Sequence, residues 1–85
     1  MRLQVMMHGG PFDGTLTTIY AVDEVPTELR LADLKEEPGE ETIQAHLYRI
    51  EGHNDAELTP RMVYASYSYV APVVSRYGLV DVWIA

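Results

Sequence analysis

The sequence predicts an all-β, mainly antiparallel fold. It reads as one domain over residues 1–85, a small sheet of five or six strands folded or closed into a barrel or sandwich, with at most one short helix. Three observations lead there. Five segments alternate with period two and are rich in β-branched and aromatic residues. Clusters containing Gly and Pro separate them. No stretch keeps a helical apolar period for more than a turn or two.

Arg2 to His8 opens the chain, with Leu3, Val5 and Met7 on one face and Arg2, Gln4, Met6 and His8 on the other. The turn Gly9, Gly10, Pro11, Phe12, Asp13, Gly14 follows: glycines for positive φ, a proline that fixes φ, and an Asp-Gly pair. Thr15 to Val22 is the returning strand of this hairpin, with Leu16, Thr18, Tyr20 and Val22 on one face. Pro26 excludes a central strand at Val25 and Pro26. Thr27 to Leu31 alternates and reads as a short extended edge segment; a one- or two-turn helix through Leu29, Asp33 and Leu34 is the competing reading. Thr42 to Ile50 sets Ile43, Ala45 and Leu47 against Gln44, His46, Tyr48 and Ile50. After the turn Gly52 to Asp55, Arg61 to Val70 is a strand with three tyrosines, which Ala71 and Pro72 are expected to end. Tyr77 and Gly78 make another break, and Leu79 to Ile84 is the last strand.

Composition excludes several functions. Without cysteine the chain is neither a disulfide scaffold nor a thiolate metal protein. A formal charge of −7 argues against direct nucleic-acid binding, which needs surplus Lys and Arg. Residues 23–41 hold eight of the thirteen acids against Arg30 and Lys35, so a near-neutral body carries one acidic segment. That segment reads either as a solvated loop or as a contact for a basic partner through Glu36, Glu37, Glu40 and Glu41. The N-terminus lacks the apolar run of a signal peptide, and no stretch has the length of a membrane span. The expectation is a soluble, cytoplasmic protein without a membrane partner.

Chemistry-bearing patterns are sparse. The loop Gly9 to Gly14 lacks the Lys and Ser/Thr of a phosphate-binding loop, and no helix follows it. Its glycines, Pro11 and Asp13 read as a structural turn in which Asp13 bonds loop amides as an Asx turn. His8, His46 and His53 have no tight metal spacing; His8 and His46 on neighbouring strands, with Asp13, would be the one route to a metal site. No metal, cofactor or catalytic residue is expected. Tyr67 and Tyr69 share a face and Tyr64 lies opposite; with Trp83 they read as core packing or as an interaction surface. Several strands are apolar or aromatic on both faces. Either both sides of the sheet are covered within the chain, or a second copy covers one.

The run Gly9-Gly10-Pro11-Phe12-Asp13-Gly14 after an alternating strand, followed by a Thr-rich strand and Val25-Pro26, resembles small uncharacterised proteins with a Gly-Gly-Pro-x-Asp-Gly motif. These occur in actinobacteria and especially in their bacteriophages. Ala45 to Gly52, with Tyr48 and a terminal glycine, is similar to their second block, and five arginines to one lysine suit a GC-rich genome. The resemblance implies a phage or prophage protein, within the host cytoplasm, with no assigned activity. The resulting expectation is a non-enzymatic binding protein that occupies a host or phage protein and forms a homo-oligomer. The alternatives are an oligomeric virion or assembly component, and an acidic inhibitor of a host nucleic-acid-binding or defence enzyme.

Overall fold

The computed structural model describes residues 2–21, 23–35, 37, 39, 41–54 and 62–85. Six strands form one mixed sheet, nearly closed into a barrel. They are β1 (Arg2–His8), β2 (Leu16–Tyr20), β3 (Glu28–Asp33), β4 (Thr42–His53), β5 (Met62–Arg76) and β6 (Val82–Ile84). Two single 3-10 turns, Gly10–Phe12 and Tyr77–Leu79, complete the regular structure among the described residues. No helix among the described residues is long and apolar enough to cross a membrane.

The spatial order is β2-β1-β5-β4-β3-β6. Pairs β1–β2, β3–β4 and β4–β5 are antiparallel; β1–β5 and β3–β6 are parallel. The two parallel pairs depart from a purely hairpin-built sheet, because both chain ends return to pair with distant strands. Period two places Leu3, Val5, Met7, Leu29, Leu31, Tyr48, Tyr67 and Val82 in one interior cluster, with Ile19, Ile50 and Tyr69 packed against it.

Three expectations change. The segment at 28–33 is the extended strand the sequence favours over a short helix, but it is interior rather than an edge, since β6 pairs along its far side. The fifth strand does not stop at Pro72 but runs to Arg76. β1 pairs with β5 only as far as Ser68, so beyond it β5 has β4 as its single neighbour. There, a missing proline N–H costs no ladder bond if it faces the open side. The last strand shortens to three residues, because Tyr77–Leu79 turns before it. Val80 therefore leaves the face of Val82 and Ile84 and joins a second cluster.

A bulge brings β5 to that second cluster, whose buried members Ala32, Ile43 and Ala45 already face outward on β3 and β4. Leu47 pairs with Ala71 and Tyr48 with Tyr69, so Val70 has no opposite number. One unpaired residue inverts the alternation of β5. Before it, Ala65, Tyr67 and Tyr69 face inward; after it, Val73 faces the outside, beside Ala32, Ile43 and Ala45. The chain leaving β5 crosses this outer surface, and Tyr77 and Val80 pack over it. Arg30 fastens the crossing: its N–H donates to Asp81 Oδ2 at 2.7 Å, and its carbonyl accepts the Asp81 N–H at 2.8 Å.

Candidate interaction surface

The loop of Gly9 to Gly14 is built to hold its own shape. Gly9, Gly10 and Gly14 have φ of 80°, 65° and 80°. Gly10 is doubly constrained, since a Cβ there would also lie 2.6 Å from Cδ1 of Tyr69. Asp13 Oδ1 accepts the Gly9 N–H at 2.6 Å, reaching back across the loop rather than forward as an Asx turn. The Tyr48 hydroxyl accepts the Phe12 N–H at 3.0 Å and donates to the Gly9 carbonyl at 2.7 Å. Phe12 is thereby drawn into the end of the barrel, edge-on to His46 with ring centres 5.5 Å apart. His46 Nδ1 in turn bonds the Tyr69 hydroxyl at 3.1 Å.

This arrangement leaves little for an anion. The amides of Asp13, Gly14 and Thr15 bond Gly10, Met7 and Phe12 carbonyls, and those of Gly9 and Phe12 are taken as above. Burial raises the Tyr48 hydroxyl pKa above its ordinary value; the Phe12 N–H opposes that rise, and Tyr69 and Asp13 add to it. A neutral hydroxyl that both donates and accepts is the form the clasp needs. The loop motif and the segment Ala45 to Gly52 thus meet through Tyr48. The loop works as a turn with an interior plug. His8 on β1 and His46 on β4 are not neighbours, because β5 lies between them. Among the described residues no three His, Cys, Asp or Glu side chains group as metal ligands.

The predicted tyrosine pattern resolves into inside and outside. Tyr67 and Tyr69 do share a face opposite Tyr64, and it is the interior one. Tyr67 has no exposed surface, so it cannot touch a partner. Its hydroxyl donates to the Pro26 carbonyl at 2.6 Å. Burial first, then the charge of Asp81, push its pKa up to about 12. Tyr69 is half-buried in the aromatic cluster under the loop. Tyr64 and Trp83 are exposed, and Trp83 stacks on Tyr77 at 6.2 Å between ring centres and 13° between planes. Glu37 and Glu41 are exposed; Glu36 and Glu40 lie outside the described residues. In the acidic loop Gly39 is held on both sides: the Tyr77 hydroxyl donates to its carbonyl at 2.8 Å, and its N–H donates to the Thr42 carbonyl at 3.0 Å.

The surface that remains is the outer face of β2, β1 and β5. Leu16 and Tyr20 are 53% and 78% exposed, and Tyr64 is 49% exposed. A depression of about 420 Å³ lies between Met6, Leu16, Tyr64, Ser66 and Asn54. Asn54 pins the backbone of Tyr64 at both polar atoms: Tyr64 N–H donates to Asn54 Oδ1 at 2.9 Å, and Asn54 N–H to the Tyr64 carbonyl at 3.0 Å. The outward residues of β1, of β2 and of 63–68 in β5 include no carboxylate, on a chain of charge −7. Leu16 and Tyr20 were absent from the predicted contact residues. Their shared face was legible, but not that it would stay uncovered. No protein-family model, curated protein or solved structure matches the chain.

Proposed function

We propose that this chain is a small protein–protein interaction module of the phage type its opening motif resembles. It acts by occupying a partner's surface and not by catalysis. The observation that carries the reading is the outer face around Met6, Leu16, Tyr20 and Tyr64, which nothing among the described residues covers and which a carboxylate reaches only at Ser68, through Glu51. Exposed tyrosine and leucine around a shallow depression are the usual makings of a contact core, where large side chains lose water and charge is sparse. Acids such as Asp23, Glu24 and Glu51 lie at the margins of this face, so they can guide approach without being fully desolvated.

The test compares wild type with a Leu16→Asp/Tyr64→Asp variant as immobilised baits in actinobacterial host lysate, with and without phage infection. A protein retained by wild type and lost by the folded variant supports the reading; identical retention by both argues against this face. The same face also favours a homo-oligomer. Mass in solution addresses that directly: a monomer at high concentration removes the assembly reading.

A further inference from the structure

Where the barrel fails to close, β2 and β6 face each other across a groove of about 510 Å³. Thr17 to Tyr20 form one wall, Val82 and Trp83 the other, with Pro26 and Asp81 also lining it. The ladder fixes which backbone groups point into this seam. Met7 N–H bonds the Thr15 carbonyl, and Thr17 and Ile19 pair opposite Val5 and Leu3. Both polar groups of a strand residue point to the same side, alternating along the chain. Thr17, Ile19 and the Thr15 carbonyl therefore turn toward β1, and Leu16, Thr18 and Tyr20 turn their N–H and C=O toward the seam. Among the described residues neither β2 nor β6 pairs with a further strand on that side. β2 also has none of the devices that blunt an edge: Leu16 to Tyr20 contains no charge, no proline and no bulge.

The charges around the seam select the occupant. Asp81 lines it. Asp23 and Glu24, both exposed, lie in the connection between the lining residues Tyr20 and Pro26. Of the nearby cations, Arg30 reaches Ser75 Oγ at 3.4 Å and Arg49 reaches Glu28 at 3.9 Å, while Arg2 stands opposite Tyr20 on β1, one strand in from the seam, so three acids outnumber it there. Tyr20 and Trp83 offer aromatic faces, to which a lysine or arginine is attracted. A second −7 chain brings charge of the wrong sign.

We propose that the β2–β6 seam is a strand-acceptor site for an extended, basic, acid-free segment of a partner protein. Main-chain hydrogen bonds to Leu16, Thr18 and Tyr20 would hold the segment, and Asp81, Asp23 and Glu24 would set its charge preference. This site is carried by the main chain of the two open edges, whereas the outer face of the previous section, which shares Leu16 and Tyr20 with it, is carried by side chains.

The test uses a fluorescent ten-residue peptide of alternating Lys and Val, titrated with the full chain by anisotropy at two salt concentrations. The expected result is saturable binding that weakens with salt, at least tenfold weaker for the Glu-Val peptide and for a Lys-Val peptide N-methylated at each valine. Thr18→Pro, on an edge position whose N–H is not in the β1 ladder, should weaken binding tenfold or more; Tyr64→Ser, two strands away, should leave it unchanged. Absence of Lys-Val binding, or equal binding of the N-methylated or Glu-Val peptide, overturns the proposal without touching the outer-face reading. A dimer of the protein alone that Thr18→Pro dissociates also overturns it, by making the occupant a second copy.

Discussion

The outer surface of this sheet has two halves that meet opposite fates. Over β3, β4 and the end of β5, Ala32, Ile43 and Ala45 are buried because Tyr77 and Val80 lie across them. Over β2, β1 and the start of β5, the equivalent positions Met6, Leu16 and Tyr64 have nothing from the described chain above them. The residue types differ accordingly. The covered half has alanine at two of its three buried positions, which lets a crossing segment approach closely beside Ile43. The bare half uses large side chains that present area outward. The same two-sided strand chemistry thus serves a second core in one place and a contact surface in the other.

The contrast can be broken by charge. Ala45→Asp buries a carboxylate in the covered half and is expected to cost about 3 kcal/mol or more. Tyr64→Asp in the bare half should change stability by no more than about 0.5 kcal/mol. Urea unfolding of both decides; equal losses would mean that the bare half is no surface at all. A milder probe removes the cover. Tyr77→Ala should cost about 2 kcal/mol, since it exposes Ile43 and loses the bond to Gly39. Leu16→Ala should stay within about 0.5 kcal/mol.

The third prediction concerns the interior face that both halves share. Tyr67 keeps its proton to about pH 12 in the folded state, whereas an unfolded tyrosine loses it near 10. Between those values the folded chain binds more protons than the unfolded one, so stability falls as pH rises. Thermal unfolding should therefore show the full Tyr67 contribution below pH 10 and lose about 2 kcal/mol by pH 12. Tyr48, also raised, acts in the same direction. Tyr67→Phe should flatten much of this alkaline limb. An unchanged limb would remove Tyr67 as its source.

How much of this was legible in the sequence follows from what period two encodes. It gives the two faces of a strand, and so the strands at 2–8, 42–50 and 62–70 and the opposition of Tyr67 to Tyr64. It does not say which face is inside, because that depends on how the sheet closes. Tyr67 was thus grouped with contact residues when it belongs to the core. Nor does it register a single unpaired residue such as Val70, which changes every later side chain's face. Pro72 looked like a stop because a proline's cost depends on whether the strand has one neighbour or two. The turn chemistry of Gly9 to Gly14 was readable from φ requirements alone. Its bond to Tyr48 was not, since residues so far apart meet only through the order of strands.

That strand order has a consequence for how the chain acquires its structure. β1 and β2 form a local hairpin, but the bonds that clamp its loop come from Tyr48, and the ladder along its other side comes from Met62 to Ser68. Arg2 must find Met62 across sixty positions of chain. Contacts that distant carry a large loop-closure cost before they return any stabilisation, which slows folding. During synthesis the amino-terminal hairpin leaves the ribosome with both of its edges open, one of them the uncharged Leu16–Tyr20. The interval before β5 arrives is when the nascent chain is most exposed to pairing with a neighbour.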